Sequence, residues 1–181
     1  RVRSGRRDRG LFLEGDVPEG TVLLSVPPQA VLSPERAARL LLQGGGDVAV
    51  AQGDAAAEGA LQWGLLPALL ARVRAELEDG PPGSFGLGPY VQVLPGSFPS
   101  LPVSLTAEDV ERELRGTALV PATLQLRARL LADRDAARHA LEGTAGASSK
   151  DAIPSSMWSD TLWLWACSVL LTRGGVGLSL A

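Results

Sequence analysis

The sequence predicts an α+β fold, predominantly helical, that opens on a β-hairpin. Three observations carry that expectation. Two short apolar stretches, Gly10–Leu13 and Thr21–Val26, flank a turn-rich segment. Most of the later chain spaces its apolar residues as helices do, between recognisable caps. Hydrophobic residues make up 45% and charged residues 20% of 181 positions, enough apolar material for a packed core.

Arg1–Arg9 is a basic run that reads as a solvated arm. In Glu14–Gly20, Pro18 suits the second and Gly20 the fourth position of a turn, so the flanking stretches are expected to pair as a hairpin that Pro27-Pro28 stops. Ser33-Pro34-Glu35 reads as a helix start, with cap, proline at the first position and an acid in the first turn. That helix is expected to reach about Leu42, before a Gly/Ala/Asp-rich loop over Gly44–Gly59. Leu61–Leu77 reads as an amphipathic helix with Leu66, Leu69, Leu70, Val73 and Leu77 on one face, divided or kinked at Pro67 and closed by Gly80–Gly83. A short buried helix is expected from Pro89. Thr106 with Asp109 resembles a capping box for a helix to Leu114. Val120–Leu141 reads as a longer helix with Leu124, Leu130 and Leu131 inward. Gly143–Lys150 reads as a loop, and Ser159 as the cap of a last helix to Thr172, ended by Gly174-Gly175.

Composition excludes several chemistries. The net charge of −3 gives no global basic field for nucleic acid, and no aromatic residue is interleaved with the N-terminal arginines. All but one of the 17 Lys+Arg are arginines, the exception being Lys150. The single Cys167 rules out an internal disulfide and a Cys-based zinc site; within an apolar helix it reads as a buried, inert thiol. The single His139 lies on the polar side of a helix with no nucleophile at motif spacing. Glu108, Asp109, Glu111 and Glu113 read as a solvated helical face, and Trp158, Trp163 and Trp165 as packing residues. There is no P-loop and no glycine-rich dinucleotide fingerprint. The longest apolar run, near Leu162–Leu171, is about half of a membrane span. The chain begins at Arg1 without a visible signal peptide, which reads as a processed chain or a fragment.

The order and wording of three segments go further. Arg9-Gly10-Leu11-Phe12, with Asp16-Val17-Pro18-Glu19-Gly20 and Val22-Leu23-Leu24-Ser25-Val26-Pro27, resembles the opening of a SET domain. Gly88-Pro89-Tyr90-Val91-Gln92-Val93-Leu94-Pro95 and Leu162–Arg173 are similar to two later blocks of the same branch, which holds the Rubisco large-subunit methyltransferases and the actin-histidine methyltransferase. The resemblance spans nearly the whole chain and keeps the family's order.

That resemblance implies SET strands in 1–32, followed in 33–181 by the family's helical insert up to the start of a second SET half. It also implies a protein-lysine N-methyltransferase that uses S-adenosylmethionine (SAM), needs no metal and takes a protein substrate, with neither nucleic acid nor membrane as partner. Histidine is the alternative target. Arg9, Gly10 and Leu11 would offer backbone to the cofactor, and Arg173 would face its carboxylate. Arg173 equally suits the end of a helix, where a cation complements the dipole. Asp8 stands where the family usually has glycine. The family's Asn-His motif and catalytic tyrosine come after the arginine matched by Arg173. This sequence has no Asn, and its one Tyr, Tyr90, lies in the insert, so no catalytic residue is assigned and the β core is expected to be incomplete. The other reading is a non-catalytic helical interaction module.

Overall fold

The computed structural model describes residues 2–4, 9–11, 15–41, 55–79, 86–144 and 154–173. The chain divides into two compact units, Arg1–Val31 and Leu32–Ala181.

In the first unit, β1 (Val2–Ser4) pairs antiparallel with β2 (Arg9–Leu11), Val2 opposite Leu11 and Ser4 opposite Arg9. The expected N-terminal hairpin is not formed, which corrects the α+β reading. Residues 21–27 carry no strand, and Val22, Leu23, Leu24 and Val26 are exposed. The turn itself exists one residue out of the expected register. Thr21 N–H donates to the Pro18 carbonyl at 3.2 Å, and Gly20 takes φ +83°, which a residue with a Cβ rarely adopts. A turn and an apolar stretch do not fix a pairing, because strand stability comes from neighbours: Gly10-Leu11, part of the expected first strand, pairs in β2 with β1 instead. Pro28 opens a 3₁₀ turn, Pro28–Ala30.

The second unit is helical, with no strand among its described residues. Its elements are α1 (Pro34–Leu41), α2 (Ala55–Asp79), α3 (Gly88–Val93), α4 (Ala107–Glu113), α5 (Leu119–Thr144) and α6 (Asp160–Arg173). Single 3₁₀ turns lie at Pro102–Ser104 and Ser155–Trp158. The three expected caps form. Ser33 Oγ accepts from Arg36 N–H at 3.3 Å, Thr106 Oγ1 from Asp109 N–H at 3.1 Å and Ser159 Oγ from Leu162 N–H at 3.3 Å. Each satisfies an N–H that the first helical turn leaves without a partner.

α2 is the centre of the unit and packs against α1, α3, α5 and α6. It starts at Ala55, ahead of the expected Leu61, because Ala55–Ala57 are strong helix formers and Gly59 costs only about 1 kcal/mol inside a helix. It is not a one-faced amphipathic helix. Leu65, Ala68, Leu69, Leu70, Ala71, Val73 and Ala75 are all buried, as is Pro67, while Leu66 and Leu77 are half-buried. Nor does Pro67 divide it. Proline removes the bond to the carbonyl four residues back, which is that of the exposed Trp63.

α6 is the second buried helix, with every residue from Trp163 to Val169 inside. The core joins these two helices through Leu69, Leu70, Val91, Leu141, Met157, Trp163 and Val169. Among the described residues no helix is long and apolar enough to cross a membrane.

Candidate functional site

The two later blocks of the resemblance meet in space. Trp165 of α6 donates its indole N–H to the Pro95 carbonyl just past α3, at 2.7 Å. A buried indole needs such an acceptor, so this bond fixes the block ending at Pro95 against the middle of α6. The Arg74 guanidinium lies 4.9 Å from the Trp165 ring centroid on α2's side, and its Nε donates to Glu78 Oε1 at 2.8 Å.

One turn further along α6, Ser168 is fully buried and donates to the Leu164 carbonyl at 2.7 Å. Its Oγ lies 3.4 Å from Ser104 Oγ, and Ser104 donates to the Phe98 carbonyl at 3.0 Å. The 98–104 segment is thereby laid along the C-terminal half of α6. Arg127 of α5 braces the same segment, donating from Nη1 to the carbonyls of Leu105 (2.7 Å) and Val103 (3.1 Å).

Arg173 is the last residue of α6 and is exposed. Its Nη1 donates to Thr172 Oγ1 at 3.1 Å, and its Cζ lies 5.7 Å from the centroid of the Phe98 ring. No carboxylate among the described residues pairs with it. Among the described residues the guanidinium thus has donors that no carboxylate takes, and a carboxylate is the group its planar fork suits. The other expected cofactor residues belong to the first unit. Arg9, Gly10 and Leu11 form β2, Gly10 opposite Arg3.

The remaining candidates behave as the sequence suggests. His139 is exposed on α5. Cys167 is buried, and burial pushes its thiol up to about 12, with Asp133 adding to the shift, so the reactive thiolate is suppressed at neutral pH. Glu108, Glu111 and Glu113 are exposed. The Thr106 hydroxyl holds the Asp109 carboxyl below its ordinary range, and Arg112 contributes, which makes Asp109 part of a helix start. Trp158 and Trp163 pack with ring centroids 5.9 Å apart, and Trp163 donates to the Leu130 carbonyl at 2.7 Å. Among the described residues no group of three or more His, Cys, Asp or Glu could hold a metal ion.

Sequence reasoning missed Arg74, Phe98, Ser104, Arg127 and Arg134 as organisers. The same holds for Glu76, whose Oε1 accepts from Arg72 Nε at 2.9 Å while its buried Oε2 has no hydrogen-bond partner among the described residues. The Arg72–Glu76 and Arg74–Glu78 pairs had a visible signal in their i,i+4 spacing. The others act across long sequence separations and had none.

No family model, no curated protein and no solved structure matches this chain.

Proposed function

We propose that this chain is the helical part of a SET-type, SAM-dependent protein N-methyltransferase acting on a lysine or histidine side chain, with Arg173 as its contact to the cofactor carboxylate. The supporting observation is the bond from Trp165 to Pro95, which packs together the two blocks that resemble the family. Bound SAM supplies the methyl group. What this chain contributes is a guanidinium at the end of a buried helix that pairs with no carboxylate among the described residues. The residues that would orient the target amine are lacking here, since the sequence has no Asn and its one Tyr lies in α3. In-line attack depends on that orientation, so the chain alone transfers no methyl group.

A non-catalytic helical interaction module is the second reading. What favours it is that the core is built mainly from helices, with no strand contributing to it among the described residues, while the expected SET hairpin is missing.

Calorimetric titration with SAM separates the two. The folded chain is expected to bind SAM without labelling any protein in an extract. Arg173→Ala should weaken binding about ten- to hundredfold, the worth of a hydrogen bond to a charged group. Arg173→Lys should recover only part, since an ammonium lacks the planar fork. Full recovery by lysine would reduce Arg173 to a helix-end cation, and a folded chain that takes up no SAM would leave the interaction module.

A further inference from the structure

We infer that Phe98 is a positioning residue for Arg173, holding the guanidinium by its ring face so that the N–H donors not given to Thr172 stay available for a carboxylate. The inference rests on the cofactor reading of Arg173 and deepens it. An arginine at an exposed helix end samples many rotamers, and presenting a two-donor fork to a ligand means ordering it beforehand. A carboxylate partner would order it but would also occupy the donors. A ring face attracts the charge and leaves the N–H edges alone.

The structure supplies such a ring on a rigid mount. Phe98 is 8% exposed, inside the core, with the Arg173 Cζ 5.7 Å from its centroid. Its carbonyl accepts from Leu101 N–H and from Ser104 Oγ, each at 3.0 Å. Ser104 in turn lies 3.4 Å from Ser168, five residues before Arg173 on the same helix. The ring and the guanidinium are thus referenced to one element. A second tether acts from the helix side, where Thr172 Oγ1 donates to the Ser168 carbonyl at 2.7 Å and accepts from Arg173 Nη1.

The test reads the contact without any ligand and then with SAM. In the NMR spectrum of the free chain, the Arg173 Hδ and Nε–H signals, identified by their loss in Arg173→Lys, should be shifted upfield by the ring. That shift should vanish in Phe98→Leu, which keeps apolar volume, and persist in Phe98→Tyr, which keeps the face. SAM affinity should fall about two- to fivefold in Phe98→Leu, the range of an exposed cation–π contact, and return in Phe98→Tyr. Unshifted Arg173 signals in the parent overturn the inference with no variant needed, which covers a Phe98→Leu protein that fails to fold. Equal SAM affinity of the parent and folded Phe98→Leu overturns it too. Shifted signals in a parent that takes up no SAM overturn instead the cofactor reading, and with it the ligand assigned to this pair.

Discussion

α2 and α5 are nearly the same length, 25 and 26 residues, and neither has a dominant apolar stripe, yet they are held in opposite ways. α2 is enclosed on all sides along its middle, from Gly64 to Val73 apart from the half-buried Leu66. α5 buries only Thr123, Ala137 and Leu141 among its described side chains. Its apolar attachment is narrow, with Ala137 and Leu141 in the core and Leu130 and Leu131 half-buried against it, and arginines add polar clasps. Arg127 reaches the carbonyls of Val103 and Leu105, and Arg134 reaches the carbonyl of Trp158 and the carboxylate of Asp160. Sequence patterns of similar flatness thus describe a helix enclosed by apolar area and a helix with a narrow apolar contact supplemented by arginines at helix and turn ends.

The sharpest contrast comes from one substitution made in both helices. Leu69 of α2 is 0% exposed, and Leu69→Ala should cost about 2–5 kcal/mol through lost transfer energy and the cavity left behind. Leu126 of α5 is 40% exposed, and Leu126→Ala should change stability by less than about 0.5 kcal/mol. Urea denaturation of both proteins measures the difference. Similar losses would mean that α5 is packed by apolar area after all.

The next contrast lies within α5. The Arg134 side chain is 17% exposed and holds a backbone carbonyl as well as Asp160, whereas that of Arg138 is 50% exposed and pairs with Glu142 one turn on. Arg134→Ala should cost about 1.5–3 kcal/mol, since it leaves a carbonyl and a carboxylate without their donor. Arg138→Ala should cost about 0.5 kcal/mol or less. High salt should shrink the small effect more than the large one, because an exposed pair is screened more strongly than a partly buried one and salt does not screen the bond to the Trp158 carbonyl as it does an ion pair. If the two variants melt alike, the clasp at Trp158 does not hold α5.

These contrasts also mark how far the sequence could be read. The caps at Ser33, Thr106 and Ser159 were legible because a cap is a bond between near neighbours, complete within four residues. The burial of Trp163, Trp165 and Cys167 was legible from an apolar run too short for a membrane. The hairpin was misread because its evidence was local and its stability is not. Val22–Val26 has strand-forming residues, but nothing within the segment specifies a partner. The possible break at Pro67 was not realised for the same reason, since its cost is local while the packing that offsets it comes from four other helices. In the candidate site, Arg173 was reached through a resemblance. The ring beneath it, Phe98, lies 75 residues away in the chain, a distance no period or motif bridges.

The smallest expected effect falls where the two helices touch. Gly64 of α2 lies so close to α5 that an added Cβ would sit 2.8 Å from Ala137 Cβ and 3.4 Å from the Asp133 carbonyl oxygen. On an exposed helix, Gly→Ala gains about 1 kcal/mol from backbone entropy. Here the overlap opposes that gain with an overpacking cost of about 1–3 kcal/mol, and neither backbone carries a flexible end that could yield. Gly64→Ala should therefore lower stability by about 1 kcal/mol where propensity alone predicts an increase. Ala137→Gly, which removes the colliding methyl, should cost about 1 kcal/mol in the parent but less, or nothing, in the Gly64→Ala background. A double-mutant cycle by thermal or urea denaturation reads this coupling, expected at about 1 kcal/mol for residues in direct contact. Additive effects of the two substitutions would show that α2 and α5 do not meet at this glycine, and the spacing between the enclosed helix and the clasped one would have to be set elsewhere.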